Sequence, residues 1–164
     1  MADTNSNYQL SVDLIGAKEL KDAIANVGSV ATQAIINALN KTAYDLERLA
    51  RSKAPHKKGG LWNSIHTEPA KVTGTNIEAK VGTNLKYAVY QEKGTSAHTV
   101  RVVNKKVLYS KETNTFYGKS ANIPQMSGKF YMKQARDEIK PELTNNLQQA
   151  AKTIIDHLST KGTE

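Results

Sequence analysis

Tyr8, Leu10, Val12 and Leu14 alternate with Gln9, Ser11 and Asp13. A period of two belongs to a strand with one buried face, so 8–14 is predicted as an amino-terminal strand. Past Gly16 the period changes. Leu20, Ile24 and Val27 sit at helical spacing in a short amphipathic turn or two that ends before Gly28, and Ser29 is placed to cap a second, longer helix. From 30 to 53 the apolar positions Ala31, Ile35, Ala38, Leu39, Leu46, Leu49 and Ala50 recur every three to four residues, with Asn37, Lys41, Asp45, Arg48 and Arg51 on other faces. That is the pattern of a long amphipathic helix. Pro55 ends it, because proline biases the preceding Ala54 away from helical geometry.

After a loop bearing Lys57, Lys58, Gly59 and Gly60, the stretches 65–72 and 76–81 read as two strands around a Thr73, Gly74, Thr75 turn, a hairpin. Residues 85–92 fit a short helix or a strand equally well. Between 99 and 117 the pattern is strand-like: Val100, Val102 and Val107, Tyr109 flank a turn at Asn104, Lys105, Lys106, and a second turn lies at Glu112, Thr113, Asn114. A projecting meander is expected there. From Ser127 a helical pattern returns through Phe130, Met132, Ala135, Ile139, Leu143, Leu147, Ala150, Ile154 and Leu158, and Pro141 is expected to kink or restart that helix.

These elements make an α+β fold: a mainly antiparallel sheet packed against a long amino-terminal helix and a carboxy-terminal helix, with a projecting β-hairpin arm. A length of 164 residues suits one domain, read as 8–160, with a polar tail at 1–7 and an inserted arm at 96–125. The absence of cysteine removes disulfides, thiolate nucleophiles and cysteine-ligated metals. No apolar run is long enough for a membrane span, and the first residues carry no signal-peptide stretch, so a soluble protein made in the cytoplasm is expected.

Charge adds a constraint. The net +8 is carried by the middle of the chain: residues 1–47 sum to −3, 48–112 to +9 and 113–164 to +2. Such a segment can track phosphate, face an acidic protein surface, or simply be solvated. A basic nucleic-acid-binding module using Lys57, Lys58, Arg101, Lys105 and Lys106 is therefore one reading. Interleaved aromatics, Tyr87, Tyr90, Tyr109, Phe116 and Tyr117, would suit base stacking. The plainer account makes Tyr87 and Tyr90 core-edge residues and pairs Tyr109 with Phe116 across strands.

Catalytic signals are sparse. His56, His66, His98 and His157 form no pair at metal-ligand spacing. In Lys57, Lys58, Gly59, Gly60 the lysines precede the glycines and a helix precedes the loop, the reverse of a phosphate-binding loop. No Gly-x-Ser-x-Gly elbow occurs. No catalytic residue, metal site or cofactor is assigned.

Two stretches carry more information together than any of this. Ala54-Pro55-His56-Lys57-Lys58-Gly59-Gly60-Leu61-Trp62-Asn63-Ser64-Ile65 resembles the "Ala-Pro, then Thr-Gly-x-Leu-x-x-Ser-Ile" signature of the small tail-component, or tail-completion, family of long-tailed double-stranded-DNA bacteriophages. Tyr87-Ala88-Val89-Tyr90-Gln91-Glu92-Lys93-Gly94-Thr95 is similar to that family's "Tyr-Ala-x-Tyr-x-Glu-x-Gly-Thr". Both occur in the family's order, between two long helices, and the resemblance extends over about 8–158. It implies a non-enzymatic virion structural protein at the head-tail junction, completing the tail and joining it to the capsid. It further implies a ring of identical subunits, with six-fold symmetry the first choice. Neighbouring neck, tail-terminator and tail-tube proteins would be its partners, and double-stranded DNA would pass through the channel.

Within those motifs, Pro55, Gly59, Leu61, Ser64, Tyr87, Tyr90, Glu92 and Gly94 are read as fold-determining. Leu61 and Ile65 can return to the core as an i, i+4 pair. Gly94 is expected in a backbone conformation closed to other residues. Glu92 is expected either to accept hydrogen bonds from turn amides or to pair with Arg48 or Arg51. Arg101, Lys105, Lys106 and Tyr109 are the arm residues expected to meet a partner or the channel.

Overall fold

A computed structural model describes residues 10–15, 20–56, 60–74, 76–103, 106–111 and 114–161. Strand β1 (Leu10–Ile15) is followed by helix α1 (Leu20–Lys53), which breaks at Gly28, where φ is 72°. The short helical stretch before Gly28 and the long helix after it thus follow the sequence pattern. A short helix α2 (Gly60–Ser64) leads into the hairpin β2 (His66–Thr73) and β3 (Asn76–Thr83). Antiparallel pairing places β3 at the centre of a three-stranded sheet, in the order β1-β3-β2.

The two periodicities meet in the core. Ile77, Ala79, Val81 and Thr83 alternate along β3 and are buried, facing the α1 stripe of Ala31, Ile35, Leu39, Leu46 and Ala50. Leu61 and Ile65 join the same cluster. At the β-bulge between Glu68 and Lys71, the Ala70 amide donates to Asn40 Oδ1 of α1 at 2.6 Å, so an amide freed from the ladder keeps a partner.

The ambiguous stretch resolves as a helix, α3 (Ala88–Lys93). Beyond it the chain runs out and back as β4 (Gly94–Thr95), β5 (His98–Arg101), β6 (Leu108–Ser110), β7 (Thr115–Gly118), β8 (Ser120–Ile123) and β9 (Met126–Ser127). Pairing is nested, β4 with β9, β5 with β8 and β6 with β7, all antiparallel. The expected meander, in which the strands flanking the Asn104, Lys105, Lys106 turn are neighbours, is therefore corrected, while Asn104 and Lys105 of that turn lie outside the described residues. The strands on either side of it pair with later partners, and the ribbon turns back between Ser110 and Thr115. Left-handed backbone at Asn114 (φ 49°) and Gly118 (φ 71°) serves the return path.

Helix α4 (Tyr131–Lys161) closes the fold against α1. The helix runs through Pro141 without a break, so the expected restart there does not occur. The carbonyl that loses its helical partner is that of Asp137, on an exposed turn of the helix. The expected inner face is also corrected at its start: Phe130 is 45% exposed and Tyr131 is fully buried. Phe130 sits at φ 52°, and this left-handed residue turns the chain so that Tyr131, Met132, Ala135 and Ile139 form the inward stripe. A polar contact punctuates the α1–α4 interface, where buried Asn146 donates to Thr42 Oγ1 at 3.0 Å and accepts from Lys41 Nζ at 3.0 Å.

Candidate assembly site

The two motif segments meet. Ser64, at the end of α2, donates to the Leu61 carbonyl at 2.7 Å and lies 2.7 Å from the buried Thr83 hydroxyl at the end of β3. Thr83 Oγ1 in turn accepts the Leu85 amide at 3.2 Å, fixing the turn that starts α3. On the same side, Gly60 faces the Tyr87 hydroxyl, and a Cβ at Gly60 would stand 3.1 Å from it. Pro55 is half-buried just beyond α1, whereas Gly59, with Lys57 and Lys58, lies outside the described residues. Tyr87 and Tyr90 both have exposed side chains.

Glu92 is 6% exposed and is engaged on both of its carboxylate oxygens. Oε2 accepts the Met132 amide at 2.9 Å and Oε1 the Lys133 amide at 3.0 Å, so a side chain from α3 caps the first turn of α4. Negative charge is favoured there by the helix dipole, and charge-assisted bonds are stronger than neutral ones. The backbone adds to this clamp: the Lys129 and Phe130 amides donate to the Gln91 and Glu92 carbonyls. Expected pairing of Glu92 with Arg48 or Arg51 does not occur. Arg48 pairs with Asp45, while Arg51 pairs with Glu47 and donates to the Ile65 carbonyl through Nε and Nη2.

Gly94 takes φ 82° and its amide caps α3 by donating to the Tyr90 carbonyl. A Cβ there would collide with the Met126 carbonyl and stand 2.6 Å from the Gly128 nitrogen; one at Gly128 would collide with the Glu92 carbonyl. Two glycines thus let the outgoing and returning strands of the arm pass against each other at its root. Tyr131 packs beneath this clamp with its hydroxyl buried and without a hydrogen-bond partner. Burial, then the Glu92 carboxylate, then Tyr87 push its phenol above the usual 10.0.

Along the arm, Tyr109 and Phe116 face each other across strands with ring centroids 4.8 Å apart, and the Tyr109 hydroxyl donates to Asn114 at 2.6 Å. Arg101 and Lys106 are exposed, and Lys105 lies outside the described residues. Of the basic set Lys57, Lys58, Arg101, Lys105 and Lys106, Arg101 and Lys106 alone fall among the described residues. Gly128, Thr83 and Tyr131 are junction residues to which the sequence pattern does not point. A glycine just ahead of the last helical run is the one available signal.

An open groove beside α1 is lined by Tyr44, Arg48, Arg51, His56 and Trp62, with the His56 and Trp62 rings 5.7 Å apart. Its arginines already hold carboxylates of their own helix. Among the described residues no group of three or more histidines and carboxylates is placed to hold a metal, and no helix is long and apolar enough to cross a membrane.

Residues 18–94 match the family described as "Bacteriophage HK97-gp10, putative tail-component". This is the class that the two motifs resemble, and the matched span is narrower than the 8–158 of the resemblance. It runs from two residues ahead of α1 to Gly94 at the root of the arm. No curated protein and no solved structure gives a match.

Proposed function

We propose that this chain, which carries a phage tail-component segment from α1 to the root of its arm, is a structural protein of the virion neck. The family match over 18–94 carries the reading. In it, the protein completes the tail and joins it to the capsid as a ring of identical subunits around the DNA channel, without catalysing a reaction. Neck, tail-terminator and tail-tube proteins are its neighbours, and DNA passes through without being read. The arm supports an assembly role, because a two-stranded ribbon with exposed aliphatic and aromatic side chains is marginal in water without a partner. Motif residues serve the scaffold: Leu61, Ser64, Glu92 and Gly94 set the junction from which the arm leaves.

Disrupting the gene in a phage or prophage that encodes the chain is the direct test. The expected result is filled heads and separate tails that do not join, with joined particles restored by the added protein. Normal infectious particles lacking the chain would overturn the proposal.

A further inference from the structure

The proximal half of the arm is amphipathic across its thickness. In the β5–β8 register His98 stands opposite Ile123, Thr99 opposite Asn122, Val100 opposite Ala121 and Arg101 opposite Ser120. Directly opposed residues share a face and neighbours alternate. One face therefore presents Val100, Ala121 and Ile123 beside His98. The other presents Thr99, Asn122, Arg101 and Ser120, with Thr99 donating to Asn122 at 2.9 Å. Val100 and Ile123 are 38% and 39% exposed, so the described residues leave the apolar face partly open to solvent.

Charge says what kind of surface covers it. Between 94 and 127 the sequence carries Arg101, Lys105, Lys106, Lys111 and Lys119 against the single acid Glu112. Pairing two such arms would set like charges together. Among the described residues, the body of a second copy also has most of its carboxylates committed. Asp45, Glu47, Asp137 and Glu138 already face a lysine or arginine of the same chain, and Glu92 is held by the α4 amides. DNA would satisfy the charges but leave Val100 and Ile123 against water or phosphate.

We infer that the arm docks through its Val100–Ile123 face onto a protein other than this chain, at an apolar strip rimmed by carboxylates. The inference rests on the virion reading above and names the chemistry of the neighbour. Its interface has an apolar centre and a charged rim, as specific protein contacts do.

The test places a photo-reactive phenylalanine at Val100, Ile123, Thr99 or Asn122 in the full chain, each variant being first checked for parental helical content. Assembled particles are irradiated and the products mapped by mass spectrometry. Cross-links from 100 and 123 to a different particle protein, within segments rich in Asp or Glu, are expected, with their loss at 99 and 122. Cross-links to another copy of this chain, cross-links to DNA, equal yields from both faces, or no product from 100 and 123 would each overturn the inference while leaving the chain a virion component. Purified particles that lack the chain would overturn the virion reading itself, and this inference with it.

Discussion

Glu92 and Met132 are 40 positions apart, yet the Glu92 carboxylate accepts the Met132 amide at 2.9 Å inside the protein. Through this bond the carboxy-terminal helix is registered on the short helix at the arm's root. The bond also explains why a motif acid stands two residues ahead of a motif glycine. Glu92 secures the returning chain, and Gly94 lets the outgoing chain pass it.

Glu92→Gln keeps the shape but retains only one acceptor oxygen and no charge. One buried amide of α4 is left poorly satisfied, and a destabilisation of about 1–2 kcal/mol is expected. Urea unfolding followed by circular dichroism measures it. An unchanged midpoint would show that the cap contributes nothing.

Tyr131→Phe removes a buried hydroxyl that has no partner, and the variant should be more stable by about 1 kcal/mol. The same residue sets a pH dependence. Its phenol titrates above 10.0 in the folded protein, so past that pH the unfolded chain releases the proton first and stability falls as pH rises. Below 10.0 this contribution is fully present. Thermal melts from pH 9 to 11 should show the decline in the parent and a shallower one in the phenylalanine variant; parallel curves would contradict the assignment.

Gly94→Ala meets two penalties, a positive φ and contact with the Met126 carbonyl and the Gly128 nitrogen. The expected cost exceeds about 2 kcal/mol. Gly74→Ala is the comparison, since its φ of 60° carries the backbone penalty while a Cβ there meets nothing within 4 Å. Equal losses at the two sites would remove the close approach from the explanation.

Much of the body is legible from periodicity, because each element there has one wet and one dry face. Alternation gave the β2–β3 hairpin, and the Ala31-to-Ala50 stripe gave α1 with its break at Gly28. Ambiguity at 85–92 ended as helix because Thr83 and the Leu85 carbonyl organise the turn ahead of it. The arm was legible as strands and in its Tyr109–Phe116 pair, but not in the pairing of β4 and β5 with β9 and β8. Nested pairing joins residues such as His98 and Ile123 through contacts that no local period reports. The Glu92 cap was hidden for the same reason, and Phe130 misled because a left-handed residue shifts the phase of the helix after it.

Shortening the arm tests its independence from the body. Val102 donates to the Lys119 carbonyl at 3.0 Å, so residues 103–118 can be replaced by Asn-Gly at a point where the strands already face each other. The shortened protein should melt within a few degrees of the parent, since these residues contribute none of the buried core side chains. Complementation of joining should fall. Full complementation by a stable shortened chain would leave the distal arm without a role in assembly.

The arm begins and ends on two rungs, Gly94 with Ser127 and Thr95 with Met126. To the helices and sheet behind them, everything beyond those rungs is equivalent to a tight turn, whatever its size. Adding one residue to each strand near the tip extends the reach by about 3.4 Å without displacing a core atom. The length of the arm is thus a separate heritable variable, free to change by small insertions while the scaffold stays as it is.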